Sequence, residues 1–319
     1  DFRTAHPEFL DELLTGSVAG LIHEDLVTLN QVAQDGMRVR ASAGTSSFRR
    51  GETLEKCLDQ AKAQVEALQA EVDADPATIN RRRQAARERA AREKQERIER
   101  AREALQEVEA KKAARGRDSQ KRPARASTTD PDARTMKMAN GGFRPAHNVQ
   151  FATDTESQVI VGVEVTNSGS DAGQMSEMKD QIETRYEKTP EETLVDGGFA
   201  SLDDINKVGS GAKATTVYAP IKDADKKIKA GKDPYAAQPG DTPALAAWRR
   251  RMGTAAAKAI YRRRAATAEC VNAIARNRGL QQFCVRGLRK VKMIALWFAI
   301  AHNMMRTVAL RAERALGAA

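Results

Sequence analysis

Apolar residues recur at helical spacing near the start of the chain. Leu10, Leu14, Val18, Leu21 and Ile22 share one face of residues 6–24, which predicts an amphipathic helix packed on a core. The period then changes. Beyond Asp35-Gly36, Met37, Val39 and Ala41 alternate with Arg38, Arg40 and Ser42, the pattern of a half-buried strand with one basic face. Asp35-Gly36 interrupts this pattern and has the composition of a hairpin turn, yet its flanks do not form two equal alternating strands. From about Gly51, the residues Leu54, Leu58, Ala61, Val65, Leu68 and Val72 step by four and three in turn, a heptad seam. The seam ends at Asp75-Pro76, which suit an N-cap and a first helical position. A longer, Arg- and Glu-rich helix follows to about Ala114, with Ile98, Ala101, Leu105 and Val108 as a narrow apolar stripe. Residues 51–115 therefore predict an antiparallel helical hairpin of coiled-coil type. Its charge reads mostly as a solvated face, with DNA contact by Arg81, Arg82 and Arg83 as the sharper alternative. Residues 116–130 predict a basic, flexible linker.

The second half alternates strand and helix signals. Phe143–Thr153 and Gln158–Thr166 are β-rich runs joined by Asp154-Thr155-Glu156-Ser157, a hairpin composition. A helix is predicted over Asp171–Lys188. A short strand, Glu192–Val195, runs into Asp196-Gly197-Gly198. A short helix at residues 201–208 and a strand at 214–220 follow, then a polar loop over 222–242. A long helix is predicted from about Pro243 to near Gly279, and a last amphipathic helix over 287–312. The apolar run Met293–Met305 is too short to span a bilayer and contains His302 and Asn303, so it reads as a buried core helix.

Charge narrows the function classes. Against 43 Asp+Glu stand 53 Lys+Arg, a net charge of +10, and that excess favours a nucleic-acid partner. Aromatic residues are only 4%, which argues against a base-stacking single-strand binder. Cys57, Cys270 and Cys284 form no CxxC pair and the histidines show no ligand spacing, so neither a disulfide framework nor a zinc site is expected. The chain opens at Asp1 with no signal peptide, which raises the expectation of a truncated reading frame.

Three acids stand out. Asp35 borders the basic strand. Asp196 ends an apolar strand and precedes two glycines that admit a ligand or another backbone. Glu269 lies within YRRRAATAECVNAIARNR, residues 261–278, a run without Gly or Pro that reads as a helix. On a regular helix Arg262, Ala265, Glu269, Asn272 and Arg276 share a face. Taken alone, that helix reads first as an exposed one laced with salt bridges, ahead of a metal-holding acid in a polyanion groove. Three carboxylates in contact would repel by about 4 kcal/mol per pair at an effective dielectric of ~20, so convergence would call for a divalent cation. Oxygen donors of this kind suit Mg²⁺ or Mn²⁺. Two such ions ~3.5–4 Å apart activate an attacking oxygen and stabilise a leaving one on phosphorus.

The chain resembles the transposases of bacterial insertion sequences that carry a DDE triad, and among them the insertion sequence 1182 group. The resemblance lies in VAQDGMRVRASAGTSSFRR (32–50), DPDARTMKMANGGFRPAHNVQFATDTESQVIVGVEVTNSGSD (130–171), LVDGGFAS (194–201), YRRRAATAECVNAIARNRGLQQFCVRGLRKV (261–291) and AHNMMR (301–306). It implies an α/β fold, an RNase H-like mixed sheet flanked by helices, interrupted by the helical hairpin. The implied core is 31–50 with 131–291, after a residual N-terminal helical region (1–30), with the hairpin at 51–115, the linker at 116–130 and a C-terminal helix at 292–319. It places the catalytic, metal-holding carboxylates at Asp35, Asp196 and Glu269, with two Mg²⁺ or Mn²⁺ ions. Tyr261 and Arg264 take the accompanying upstream places and Arg276 the downstream basic one. Relatives put three residues between that Arg and the Glu. Here four separate Arg264 from Glu269, which leaves open which of Arg262, Arg263 and Arg264 faces the glutamate. Arg38, Arg40, Arg49, Arg50 and Arg278 join these residues as the expected contacts to double-stranded DNA, at transposon ends and target. A homodimer, no membrane association and a bacterial cytoplasmic, nucleoid-associated location complete the expectation. The rivals are a catalytically inactive DNA-binding or regulatory remnant, and a structural protein built on the basic coiled coil.

Overall fold

The computed structural model describes residues 4–74, 81–114 and 123–317, with side chains at 72–74 excluded. In chain order the elements are α1 (Pro7–His23), β1 (Gln31–Arg40), β2 (Phe48–Arg49), α2 (Gly51–Ala74), α3 (Arg81–Ala114), β3 (Ala126–Ser127), β4 (Arg134–Lys137), β5 (Phe143–Asp154), β6 (Ile160–Thr166), α4 (Gln174–Tyr186), β7 (Glu192–Leu194), α5 (Leu202–Val208), β8 (Thr216–Tyr218), α6 (Ala224–Lys229), α7 (Pro243–Met252), α8 (Ala255–Arg264), a π-turn (Ala265–Glu269), α9 (Cys270–Asn277) and α10 (Leu288–Gly317). The chain divides into two units, one of Asp1–Val39, Asn148–Gln281 and Arg289–Ala319, the other of Arg40–His147 and Gln282–Leu288.

The first unit is a mixed sheet flanked by helices. Its strands run β6-β5-β1-β7-β8. β7 is parallel to both β1 and β8, whereas β5 and β6 are antiparallel. β1 runs unbroken through Asp35 and Gly36, so the expected interruption there is corrected: the glycine is a strand residue. Leu194, Val195, Phe199, Ile205 and Val217 meet Trp248 and Met252 of α7 in one apolar core, and the Trp248 indole N–H donates to the Ala219 carbonyl (3.0 Å). The buried Asp204 carboxylate of α5 accepts from the Met175 and Ser176 amides (3.2 and 3.1 Å), which satisfies the open N–H groups of α4.

The long helix expected over 243–279 is instead α7, α8, the π-turn and α9. Gly253 ends α7, and the Thr254 hydroxyl accepts from the Ala257 amide (3.1 Å), an N-cap that starts a new helix. The loop expected over 222–242 contains the one-and-a-half-turn α6. The 30-residue α10 is long and apolar enough, by length and composition, to cross a membrane. One of its faces, with Val291, Met293, Leu296 and Ala299, is buried in the protein. Its Asn303 side chain accepts from the Ile160 N–H and donates to the Ile160 carbonyl (2.8 Å each), and so covers the free edge of β6.

In the second unit α2 and α3 share a core of Leu54, Leu58, Ala61, Ile98, Ala101, Ala104 and Leu105, joined by Ala124 and Ala126. Leu68 is buried and Val65 half-buried; the expected stop at Asp75-Pro76 lies outside the described residues. β2 and β3 pair antiparallel, and β4 pairs with residues 143–146 of β5. The flexible linker expected over 116–130 is corrected at its end: residues 115–122 are not described, but Ala126, Ser127 and Asp130 are fully buried. The Ser127 hydroxyl accepts from the Thr129 and Asp130 amides (3.1 and 3.0 Å), and Asp130 pairs with buried His147 at 3.0 Å.

Candidate active site

Within the first unit, three elements bring Asp35, Asp196 and Glu269 to one guanidinium. Asp35 leaves the middle of β1. Asp196 follows β7, the parallel neighbour of β1. Glu269 closes the π-turn after α8. Arg264 Nη2 lies 2.9 Å from Asp35 Oδ1 and 3.8 Å from Asp196 Oδ2, and its Nη1 lies 2.6 Å from Glu269 Oε1. The arginine side chain is 8% exposed, against 15% for Asp35, 40% for Asp196 and 54% for Glu269. The buried cation thus has a graded set of anionic partners, from enclosed to open. Among the described residues the carboxylates meet this guanidinium rather than closing on one another as a ready metal site.

The π-turn explains which arginine points inward. Glu269 lies five positions after Arg264, too many for one α-helical turn of 3.6 residues. The wider turn of Ala265–Glu269 takes up the excess, as π-bulges do, often at functional sites. The face expected from regular helical spacing is corrected accordingly. Arg262 and Ala265 are exposed, and Arg264 is the residue aligned with Glu269. Arg263 is exposed as well.

Neighbouring groups fix the acids. Asp35 Oδ1 accepts from the Gly36 amide (3.0 Å) and Oδ2 from Asn272 Nδ2 (2.9 Å). Asp196 Oδ1 accepts from the Gly198 amide (2.7 Å), which the glycine turn makes available. The Asn272 Oδ1 and Arg264 Nε atoms are buried without a protein partner, the first beside Asp35. Burial pushes the Asp35 carboxyl above its ordinary range; Arg264 opposes this and the Asp196 charge adds to it. Burial works against the charge on Arg264, yet Asp35, Tyr261, Asp196 and Glu269 together raise its pKa above the ordinary value. Half-buried Tyr261 is raised chiefly by burial, with Arg264 opposing and the two nearby acids adding.

A raised carboxyl pKa in the fold means that the folded state takes up its proton more readily than the unfolded one. Asp35 therefore favours folding at low pH, and that contribution is lost as pH rises from its unfolded pKa through its folded one. In metal-free buffer Asp35→Asn is expected to raise the melting temperature near pH 7 and to lose that advantage as pH falls through the raised Asp35 pKa and the carboxyl takes up its proton. Thermal unfolding of both proteins across that pH range checks this.

The remaining expected residues are dispersed. The half-buried Arg38 guanidinium is engaged within the unit, donating to Asp171 Oδ2 (2.7 Å) and the Gly169 carbonyl (3.1 Å). Arg276 and Arg278 are exposed on and after α9, Arg278 resting on Met305 Sδ (3.0 Å). Arg40, Arg49 and Arg50 are exposed in the second unit, as are Arg81, Arg82 and Arg83 at the start of α3.

Sequence reasoning missed Asp171 and its two amide partners. Asp171 is 5% exposed, and its Oδ1 accepts from Asn148 Nδ2 and Gln150 Nε2 (2.7 Å each). No motif announces it. The signal was indirect: the glycine immediately after Asp35, which marks a close approach. A family model described as the transposase DDE domain matches residues 112–304, a span that includes Asp171, Asp196, Arg264 and Glu269. Searches of curated proteins and of solved structures return no match.

Proposed function

The chain belongs to the DDE transposases, and from that premise we propose that it performs divalent-metal-dependent cleavage and strand transfer of DNA, with Asp35, Asp196 and Glu269 as the metal-holding acids. The observation that carries this is the single buried guanidinium of Arg264 shared by three carboxylates from β1, the turn after β7 and the π-turn. A strand order of β6-β5-β1-β7-β8, with β1, β7 and β8 parallel, supports the RNase H-like reading. The carrying motifs favour the insertion sequence 1182 group and residues 51–115 as an inserted antiparallel coiled-coil hairpin.

The donor chemistry fits Mg²⁺ or Mn²⁺: hard carboxylate oxygens, with the unpartnered Asn272 Oδ1 beside Asp35. Bound divalent ions supply activation of an attacking oxygen and charge stabilisation of a leaving one at phosphorus. The chain's own residues do the rest. Asp35, held at both oxygens by Gly36 and Asn272, is a rigid donor. Glu269 and Asp196 are the exposed members, so DNA approaches from their side. Arg264 offsets part of the acids' charge in the metal-free protein and would be free to meet a DNA phosphate if another cation took its place. Exposed Arg262, Arg263, Arg276 and Arg278 contribute to the backbone contacts that dominate DNA affinity. The substrate is double-stranded DNA, transposon ends and target, engaged by a homodimer.

Supercoiled DNA carrying the element's ends tests the reading. Nicking that requires Mg²⁺ or Mn²⁺ and stops with a chelator is expected. Tight DNA binding without any turnover would instead identify a regulatory remnant.

A further inference from the structure

We infer that Asp171 is a fourth acid of this site, a positioning residue that holds the Asp35 strand and the Asp196 turn at their working separation. The inference rests on the reading of the three outer carboxylates as a metal site.

Asp171 lies just before α4, and its backbone carbonyl accepts from the Gln174 amide (3.2 Å). A Cβ built on Gly36, the residue after Asp35, would fall 2.3 Å from Asp171 Oδ1 and 2.5 Å from Gln150 Nε2. No side chain fits there, so the carboxylate presses directly on the β1 backbone. A Cβ on Gly198 would lie 2.9 Å from Asp196 Oδ1 and 3.4 Å from Asp171 Oδ2. The same carboxylate therefore presses on the strand that carries Asp35 and lies beside the Gly198 position in the turn that follows Asp196. Asp171 thus accounts for Gly36, whereas the tight contact at Gly198 is the Asp196 carboxylate itself.

Its oxygens are occupied. Oδ1 accepts the Asn148 and Gln150 amides and Oδ2 accepts Arg38. Gln150 in turn accepts from Gln34 Nε2 at 3.2 Å, and the same Gln34 Nε2 also donates to the Gln174 carbonyl at 3.1 Å. Gln34, adjacent to Asp35, is thereby tied to β5 and to the start of α4. A buried carboxylate with three donors on two oxygens is an anchor, not a spare base or ligand. Asn at this place keeps the shape but removes the negative charge opposite Arg38 and replaces one of the two acceptor oxygens with an N–H₂, which the guanidinium cannot accept from, so the anchor is weakened.

The test compares wild type with Asp171→Asn in two measurements: Mn²⁺ dissociation constant without DNA, and single-turnover nicking rate at saturating DNA and Mg²⁺. Melting temperature monitors folding. A loss of about 10–100-fold in Mn²⁺ affinity or nicking rate is expected, the effect of disturbing groups that orient metal ligands, with DNA affinity unchanged. Arg38→Gln, which removes one donor at a half-buried position, serves if Asp171→Asn does not fold, and a smaller loss in the same measurements is expected. Folded variants with wild-type Mn²⁺ affinity and nicking rate overturn the inference and leave the function intact. A folded wild type that neither nicks DNA nor binds Mn²⁺ overturns the function reading, and the inference with it.

Discussion

Asp196→Asn is expected to lower metal-dependent nicking by about 10³-fold or more, the scale of several kcal/mol of lost charge stabilisation at the reacting phosphate. The substitution keeps size and removes one negative charge from a side chain that is 40% exposed, so folding has little at stake. The Gly198 amide can still donate to the side-chain oxygen of the asparagine. DNA affinity should hold or rise slightly, because an acid has been removed from a surface that meets phosphates. Nicking and DNA binding measured on the same preparation separate these outcomes. Loss of both together would indicate that Asp196 supports the fold instead, and unchanged nicking would remove it from the chemistry.

Arg264→Ala is expected to destabilise the metal-free protein by about 3 kcal/mol, the low end for breaking a buried ion pair by removing one partner. The low end applies because Glu269 and Asp196 retain solvent that screens them. The loss corresponds to a melting temperature lower by roughly 5–10 °C. With the guanidinium gone, Asp35 has only Asn272 and the Gly36 amide to offset its charge. Millimolar Mg²⁺ should then raise the variant's melting temperature more than the wild type's, since the ion takes over a charge the wild type balances internally. Thermal melts with and without Mg²⁺ check both halves. Equal Mg²⁺ shifts in the two proteins would show that Arg264 and the ion do not share a position.

Legibility varied with how local each feature was. The apolar run 192–195 and the alternation after Gly36 located β7 and β1, because burial on a sheet imposes a period of two on the residues themselves. The acids at Asp35, Asp196 and Glu269 could be named on type and placement, and the structure draws all three to Arg264. Asp35-Gly36 looked like a break because a glycine inside a strand has no local reason; its reason is Asp171, more than a hundred residues away. The π-turn was equally hidden. Its one trace was the extra residue between Arg264 and Glu269, which a regular helix would have put on different faces. The break between α7 and α8 was written in Gly253-Thr254, a stop followed by an N-cap, but the run of alanines and arginines around it outweighed that signal. β3 and the buried Asp130 were missed because the segment's polar composition is satisfied by specific partners, Ser127 and His147, rather than by water.

Iron-directed backbone cleavage tests the central claim most directly. Fe²⁺ is added in place of the divalent ion, and ascorbate with peroxide then cuts the chain wherever the iron is held. The account predicts cuts clustered around Asp35, Asp196–Gly198 and Glu269, suppressed by excess Mg²⁺ and absent in Asp196→Asn. Cuts confined to other segments, or cuts at these three that Mg²⁺ does not suppress, would contradict it.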